Sequence, residues 1–162
     1  MNMLKQLLLC TCMAVPSLAV GDLSEGKLRF QVLLDEKPIG SHSFRILDSD
    51  SQRVIESTAA FDVSVLFVPV FSYRHNNTEV WRNGCLVQMD SNTDSNGTQY
   101  RVEARQQTSE IAVVTESAAR TYATDCLMSF AYWDRRILDQ RRGVNSQTGE
   151  LVEVDIVPLG TT

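Results

Sequence analysis

The sequence predicts a mainly β protein: an antiparallel meander curled into an open barrel or half-barrel, with one short helix. Three observations carry this. From Lys27 onward apolar and polar residues alternate over long stretches, the period of a half-buried strand. Turn-forming clusters recur at short intervals, around residues 35–38, 48–51, 82–84 and 92–97. The rhythm changes once, over residues 124–138, where the apolar spacing becomes helical. Short strands joined by short turns form meanders, sandwiches or barrels.

The elements follow in chain order. Lys5 precedes an apolar run opened by Leu7, Leu8 and Leu9, and Pro16 ends it before Ser17-Leu18-Ala19. A positive start, a short apolar core and small residues at the cut read as a secretory signal peptide over residues 1–19, with a second plausible cut after Gly21. The run is shorter than the roughly 20 residues a membrane span needs, so the mature chain is expected to hold no transmembrane segment. Cys10 and Cys12 leave with the signal; Leu9 and Thr11 before them are unsuited to a lipidation cut. Residues 22–162 then form a single β domain.

Leu28, Phe30, Val32 and Leu34 alternate in a first strand, and Gly40, His42, Phe44 and Ile46 in a second. A long β-prone run over residues 54–70 places Ile55, Ser57, Ala59, Phe61, Val63, Val65 and Phe67 on one parity. It is expected to end or bend at Pro69, which cannot donate to a ladder. Phe71, Tyr73, His75, Glu79 and Trp81 resume the alternation. Strands follow at residues 85–90, 99–105 and 111–115. Thr124 or Asp125 caps the predicted helix, which carries Leu127, Met128, Phe130, Ala131, Trp133, Ile137 and Leu138. Residues 151–157 make the last strand.

The full chain has 15 basic and 20 acidic residues and a net charge of −5. Loss of residues 1–19 removes Lys5 and no acid, leaving 143 residues at −6. Scattered basic residues on an acidic chain argue against nucleic acid as a partner. Cys85 and Cys126 remain. In an oxidising compartment they either close a disulfide over about 40 residues or stay as two buried thiols.

The runs IGSHSFRI, VFSYRHNNTEVWRNGCL, TDSNGTQYRVEA, FAYWDRRIL and NSQTGELVEV resemble the bacterial exported proteins grouped as domain of unknown function 6134. The resemblance spans nearly all of residues 27–157. It implies an exported location and a half-barrel like that of periplasmic carriers of lipid-like ligands, but no activity. Members of that family usually continue with further aromatic-rich sheet, so a chain ending at Thr162 reads as a short variant or a truncated one, with an exposed edge strand.

The densest constellation is Tyr73, His75, Glu79 and Trp81. On an unbroken strand all four share a face, with His42 on a neighbouring strand. Aromatic residues around a histidine and a carboxylate suit a pocket that orients a ligand's polar group. His42, His75 and Glu79 are also weak metal-ligand candidates, since zinc wants three or four ligands. The plainer reading, which the sequence favours, is a hydrogen-bonded His75–Glu79 pair holding a turn, with Asn76 and Asn77 breaking the strand. Trp133, beside Tyr132, is a candidate for a pocket mouth, although core packing explains an aromatic pair equally simply. Gly-x-Ser-x-Gly and glycine-rich phosphate loops are absent from the sequence, and no cofactor is implied.

The function expected on these grounds is a non-catalytic periplasmic or secreted binding module. Its concave face would take a lipid-like, apolar or amphipathic small ligand. One alternative is an envelope interaction or assembly protein that adds a partner strand at residues 151–157. The other is a metal-assisted or acid–base enzyme using His75 and Glu79, with His42.

Overall fold

The computed structural model describes residues 24–157. The segment read as a signal peptide, its alternative cut after Gly21, and the chain end at residues 158–162 lie outside the described residues.

Eight strands follow one another in sequence and in space: β1 (Ser24–Leu34), β2 (Lys37–Asp48), β3 (Arg53–Val65), β4 (Val68–Arg82), β5 (Cys85–Ser95), β6 (Thr98–Gln106), β7 (Glu110–Thr115) and β8 (Ala119–Ala123). Each pairs antiparallel with its neighbour, and β1 and β8 are the two edges, so the sheet is an open meander. A two-stranded sheet, β9 (Arg142–Val144) and β10 (Leu151–Glu153), stands apart from it.

Tight turns set the register. Residue pairs with positive φ join successive strands at Asp35-Glu36, Leu66-Phe67, Asn83-Gly84 and Asn96-Gly97. This conformation matches the right-handed twist of a hairpin and favours Asn-Gly. At the last of these turns the Asp94 carboxylate also accepts the Gly97 N–H, at 2.8 Å. The Leu66-Phe67 turn corrects the sequence reading. The apolar run over residues 54–70 is two strands, not one, because the chain reverses at Leu66 and Phe67 and not at Pro69. A left-handed conformation costs an L-residue roughly 1–2 kcal/mol, and nothing in a Leu-Phe pair announces it. Pro69 sits at a register shift opposite Ser64, where its missing N–H is tolerated.

The predicted helix is also corrected. Residues 124–134 form an irregular strap, and only Arg135–Asp139 winds into a short 3-10 helix, capped by the Asp134 carboxylate on the Arg136 N–H at 3.0 Å. Backbone groups that would close helical turns are engaged elsewhere. Leu86 N–H donates to the Leu127 carbonyl (2.8 Å) and Val144 N–H to the Met128 carbonyl (2.9 Å), while Ser129 bridges to Val144. The expected strand at 151–157 is limited to Leu151–Glu153 and is paired, so the long edge of the structure is β1, exposed along most of its length.

The strap buries Leu127, Met128 and Ala131 against Ile55, Trp81, Leu86, Met89, Val102, Ala104, Ile111 and Val113, with Val144 completing the core. Cys85 at the start of β5 and Cys126 at the start of the strap form a disulfide. Cross-linking 41 residues apart restricts the unfolded chain by about 4 kcal/mol in the loop-entropy account. A Cys85→Ser/Cys126→Ser variant should keep the sheet's circular dichroism but lose roughly 3–4 kcal/mol in urea denaturation. An unchanged midpoint would show that the strap is held by packing alone.

Candidate functional site

The site follows from the continuity of β4. Asn76 and Asn77 do not break it: they pair with Thr58 and Ser57 on β3 and with Asn92 and Ser91 on β5. Alternation therefore sends Tyr73, His75, Asn77 and Glu79 to one face. That face is concave and roofed by the strap and by the loop between β9 and β10. Between sheet and roof lies a cavity of about 340 Å³.

Of the residues singled out in the sequence, His42, Tyr73, His75, Glu79 and Trp133 line this cavity. Trp81 does not: it is buried in the core beside the cavity, its indole 5.1 Å from Trp133 edge to face. Arg53 lies over the outer part of Trp133, 5.5 Å from the ring centre. Tyr132, named with Trp133 at the pocket mouth, lines it as well, whereas sequence reading missed Asn77, Ser129, Asn145, Ser146 and Gln147. Asn77 shares the parity of its neighbours and was legible had the strand been taken as unbroken. The others arrive from the strap and a loop, with no local signal to mark them.

The expected His75–Glu79 hydrogen bond is not formed. The Glu79 carboxylate instead accepts from Asn77 Nδ2 (2.9 Å) and Trp81 Nε1 (2.8 Å), with the Ser129 hydroxyl as a third partner. Burial raises its pKa above the usual carboxylate value, and the Ser129, Trp81 and Asn77 hydrogen bonds only partly oppose this. His75 has the Thr93 hydroxyl 2.7 Å from Nδ1 and the Ser146 hydroxyl 3.4 Å from Nε2. Burial, aided by nearby His42, lowers its pKa to about 4. His42 is lowered by burial as well. The Tyr73 hydroxyl donates to Gln147 Oε1 (3.2 Å), and its ring stacks on Phe61 at 5.2 Å.

These values decide the chemistry. Ser146, His75 and Thr93 resemble a nucleophile, a base and its orienting group in outline. An imidazole with a pKa of about 4 is too weak a base for serine at neutral pH, and a threonine hydroxyl stabilises no imidazolium. His42, His75 and Glu79 face one cavity, yet no group of three or more His, Cys, Asp or Glu is placed to hold a metal among the described residues. The arrangement is suited to holding a neutral polar group within aromatic walls.

Two outcomes test the electrostatics. Unfolded, His75 takes up a proton near pH 6.5; folded, only near 4. Its contribution to stability is complete above 6.5 and is lost as pH falls towards 4, by roughly 3 kcal/mol at about 1.4 kcal/mol per unit. Glu79 has the opposite sign, since its raised pKa lets stability fall as pH rises above 4.5. The His75 share is therefore the difference between wild type and His75→Gln in chemical denaturation across pH 4–6.5, and parallel curves would contradict it. Glu79→Gln sets an amide N–H against the donors of Trp81 or Asn77 and should destabilise the fold by about 1–3 kcal/mol at pH 7. A neutral or stabilising result would show that Glu79 is not an obligatory acceptor.

No curated protein and no solved structure matches the chain. Residues 30–162 do match a family described as Domain of unknown function (DUF6134). The resemblance and the family match agree: this chain is a member of the DUF6134 family.

Proposed function

We propose that this protein is an exported, non-catalytic binding module whose concave cavity holds a small amphipathic ligand with a neutral polar head. The observation that carries the reading is the cavity's two-sided chemistry. Phe44, Phe61, Tyr73, Tyr132 and Trp133 supply aromatic walls, while His42, His75, Asn77 and Ser129 supply uncharged polar groups. Two of those groups, His42 Nε2 and Asn77 Oδ1, have no hydrogen-bond partner. Buried polar atoms of this kind are rarely left unpaired, and a ligand hydroxyl or amide N–H would satisfy them, since the Asn77 oxygen needs a donor. A volume of about 340 Å³ lies at the small end of ligand sites.

Export, periplasmic or secreted, is supported by the signal-like N-terminus. The Cys85–Cys126 disulfide supports it too, since such bonds persist in oxidising compartments. The edge-strand alternative is weakened at its expected place, because only Leu151–Glu153 of residues 151–157 form a strand, too short for an extended partner ladder. The acid–base alternative is weakened by the low pKa of His75.

Of the chain's two tryptophans, Trp133 lines the cavity and Trp81 is buried against it, so intrinsic fluorescence reports directly on occupancy. Titration with a series of monoacylglycerols should give a saturable fluorescence change. Ala59 pairs with both His42 and His75 across the sheet, so Ala59→Phe should fill the void and weaken binding at least about tenfold, with circular dichroism confirming the fold. No response to any chain length, or equal affinity in the filled variant, would refute the reading. Native mass spectrometry before and after solvent extraction would show whether a co-purified ligand accompanies the protein.

A further inference from the structure

β3 and β4 run on past their neighbours. Pairing of β2 with β3 reaches Gly40 and Phe61, and pairing of β5 with β4 reaches Ser95 and Tyr73. The β3–β4 ladder continues from Asp62 opposite Ser72 to Val65 opposite Val68. Residues 62–72 thus form a two-stranded finger with no strand paired to either side among the described residues. Its tip is apolar: Phe67 is 100% exposed and Leu66 87%, and Val65, Val68 and Val70 are exposed as well.

Three features indicate what this finger meets. Residues 63–73 carry no charge, and the charges that bracket them, Asp62 and Arg74, neutralise each other at the base through two hydrogen bonds of 2.9 and 2.8 Å. The turn keeps Leu66 and Phe67 at φ 49° and 68°, where two other hairpins of the sheet use Asn-Gly. Bulky side chains are therefore held where the backbone disfavours them, at a position where they pack on nothing. The finger also projects beyond the sheet; half of its backbone groups pair within the hairpin and the outer half face away, so it suits the hydrated interface of a bilayer and not its hydrocarbon core.

We propose that the finger docks this protein on a lipid surface, entering the interface of a neutral bilayer as far as the Asp62–Arg74 pair. From that pair to the tip is about 13 Å at roughly 3.3 Å per residue, enough to reach the boundary between headgroups and acyl chains about 5–10 Å deep. The drive is apolar, because a chain of net charge −5 is not drawn to anionic lipid. The neighbouring β1–β2 tip, with Asp35, Glu36 and Lys37, stays outside. The proposal stands without the cavity reading and adds to it. Phe71 stacks on Tyr73 at 6.5 Å and Tyr73 on Phe61 at 5.2 Å, so the base of the finger is also the cavity wall.

The test is flotation of the mature protein with phosphatidylcholine vesicles. Leu66→Asn/Phe67→Gly suits the turn better, so this variant should melt at the same or a higher temperature. It should nevertheless partition at least tenfold more weakly than wild type, while the cavity-filled Ala59→Phe should float like wild type. Wild type that ignores the vesicles, or a turn variant that floats equally, would overturn the proposal. So would flotation that needs anionic lipid and disappears in high salt. If wild type is instead a dimer that the turn variant converts to monomer, with no flotation, the finger is a contact between copies and the lipid proposal falls. Failure of the cavity reading shows separately, as flotation without any monoacylglycerol response.

Discussion

The buried carboxylate of Glu79 is the constraint on which the concave face depends. A carboxylate withdrawn from water is tolerated only with its oxygens hydrogen-bonded, and here the partners come from two parts of the chain. Asn77 and Trp81 belong to β4, the strand that carries the acid, whereas Ser129 belongs to the strap. The acid therefore sits where sheet and strap meet. The disulfide and the Leu86–Leu127 backbone bond hold the same strap at its other end. The cavity lies on the far side of Glu79 from the disulfide, along Asn77, His75 and Tyr73.

Why there is a cavity rather than a filled core follows from side-chain volume. Under β4 to β7 the strap meets Trp81, Leu86, Met89, Val102, Ile111 and Val113, which fill the space. Under β2 and β3 the inward positions include Ser57 and Ala59, too small to reach the roof. Polar residues then line what the small ones leave open. Burial keeps both histidines below their ordinary pKa, so the space resists charge. On the proposed reading, a void lined in this way takes a polar head without an ionic partner.

The cavity and the protruding hairpin share residues, and this relates the two proposals physically. Phe61 and Tyr73 close the wall of the cavity and begin the finger beyond it. The parity that turns Phe61 inward continues to the half-buried Val63 and then to Val65, which is exposed because no neighbouring strand reaches it among the described residues. An inward face of the sheet becomes an exposed apolar surface because the hairpin is longer than its neighbours.

How much of this was legible depends on whether the signal is local. Alternation along β1, β2 and β4 is a property of neighbouring residues, and so are the Asn-Gly turns. The sequence by itself determined an antiparallel meander; it offered the shared face of Tyr73, His75 and Glu79 only beside a favoured reading in which Asn76 and Asn77 break the strand, and the pairing of β4 with both neighbours decided it. Only the tertiary structure decided the rest. Thr124 to Leu138 has helical spacing, but backbone bonds to Leu86 and Val144 and the tie to Cys85 outweigh local helix formation. The reversal at Leu66-Phe67 has no turn residues to reveal it, so an exposed finger reads as a buried strand. Ser129, Ser146 and Gln147 reach the cavity from segments more than 45 residues from β4, and no local period encodes a contact made at that distance.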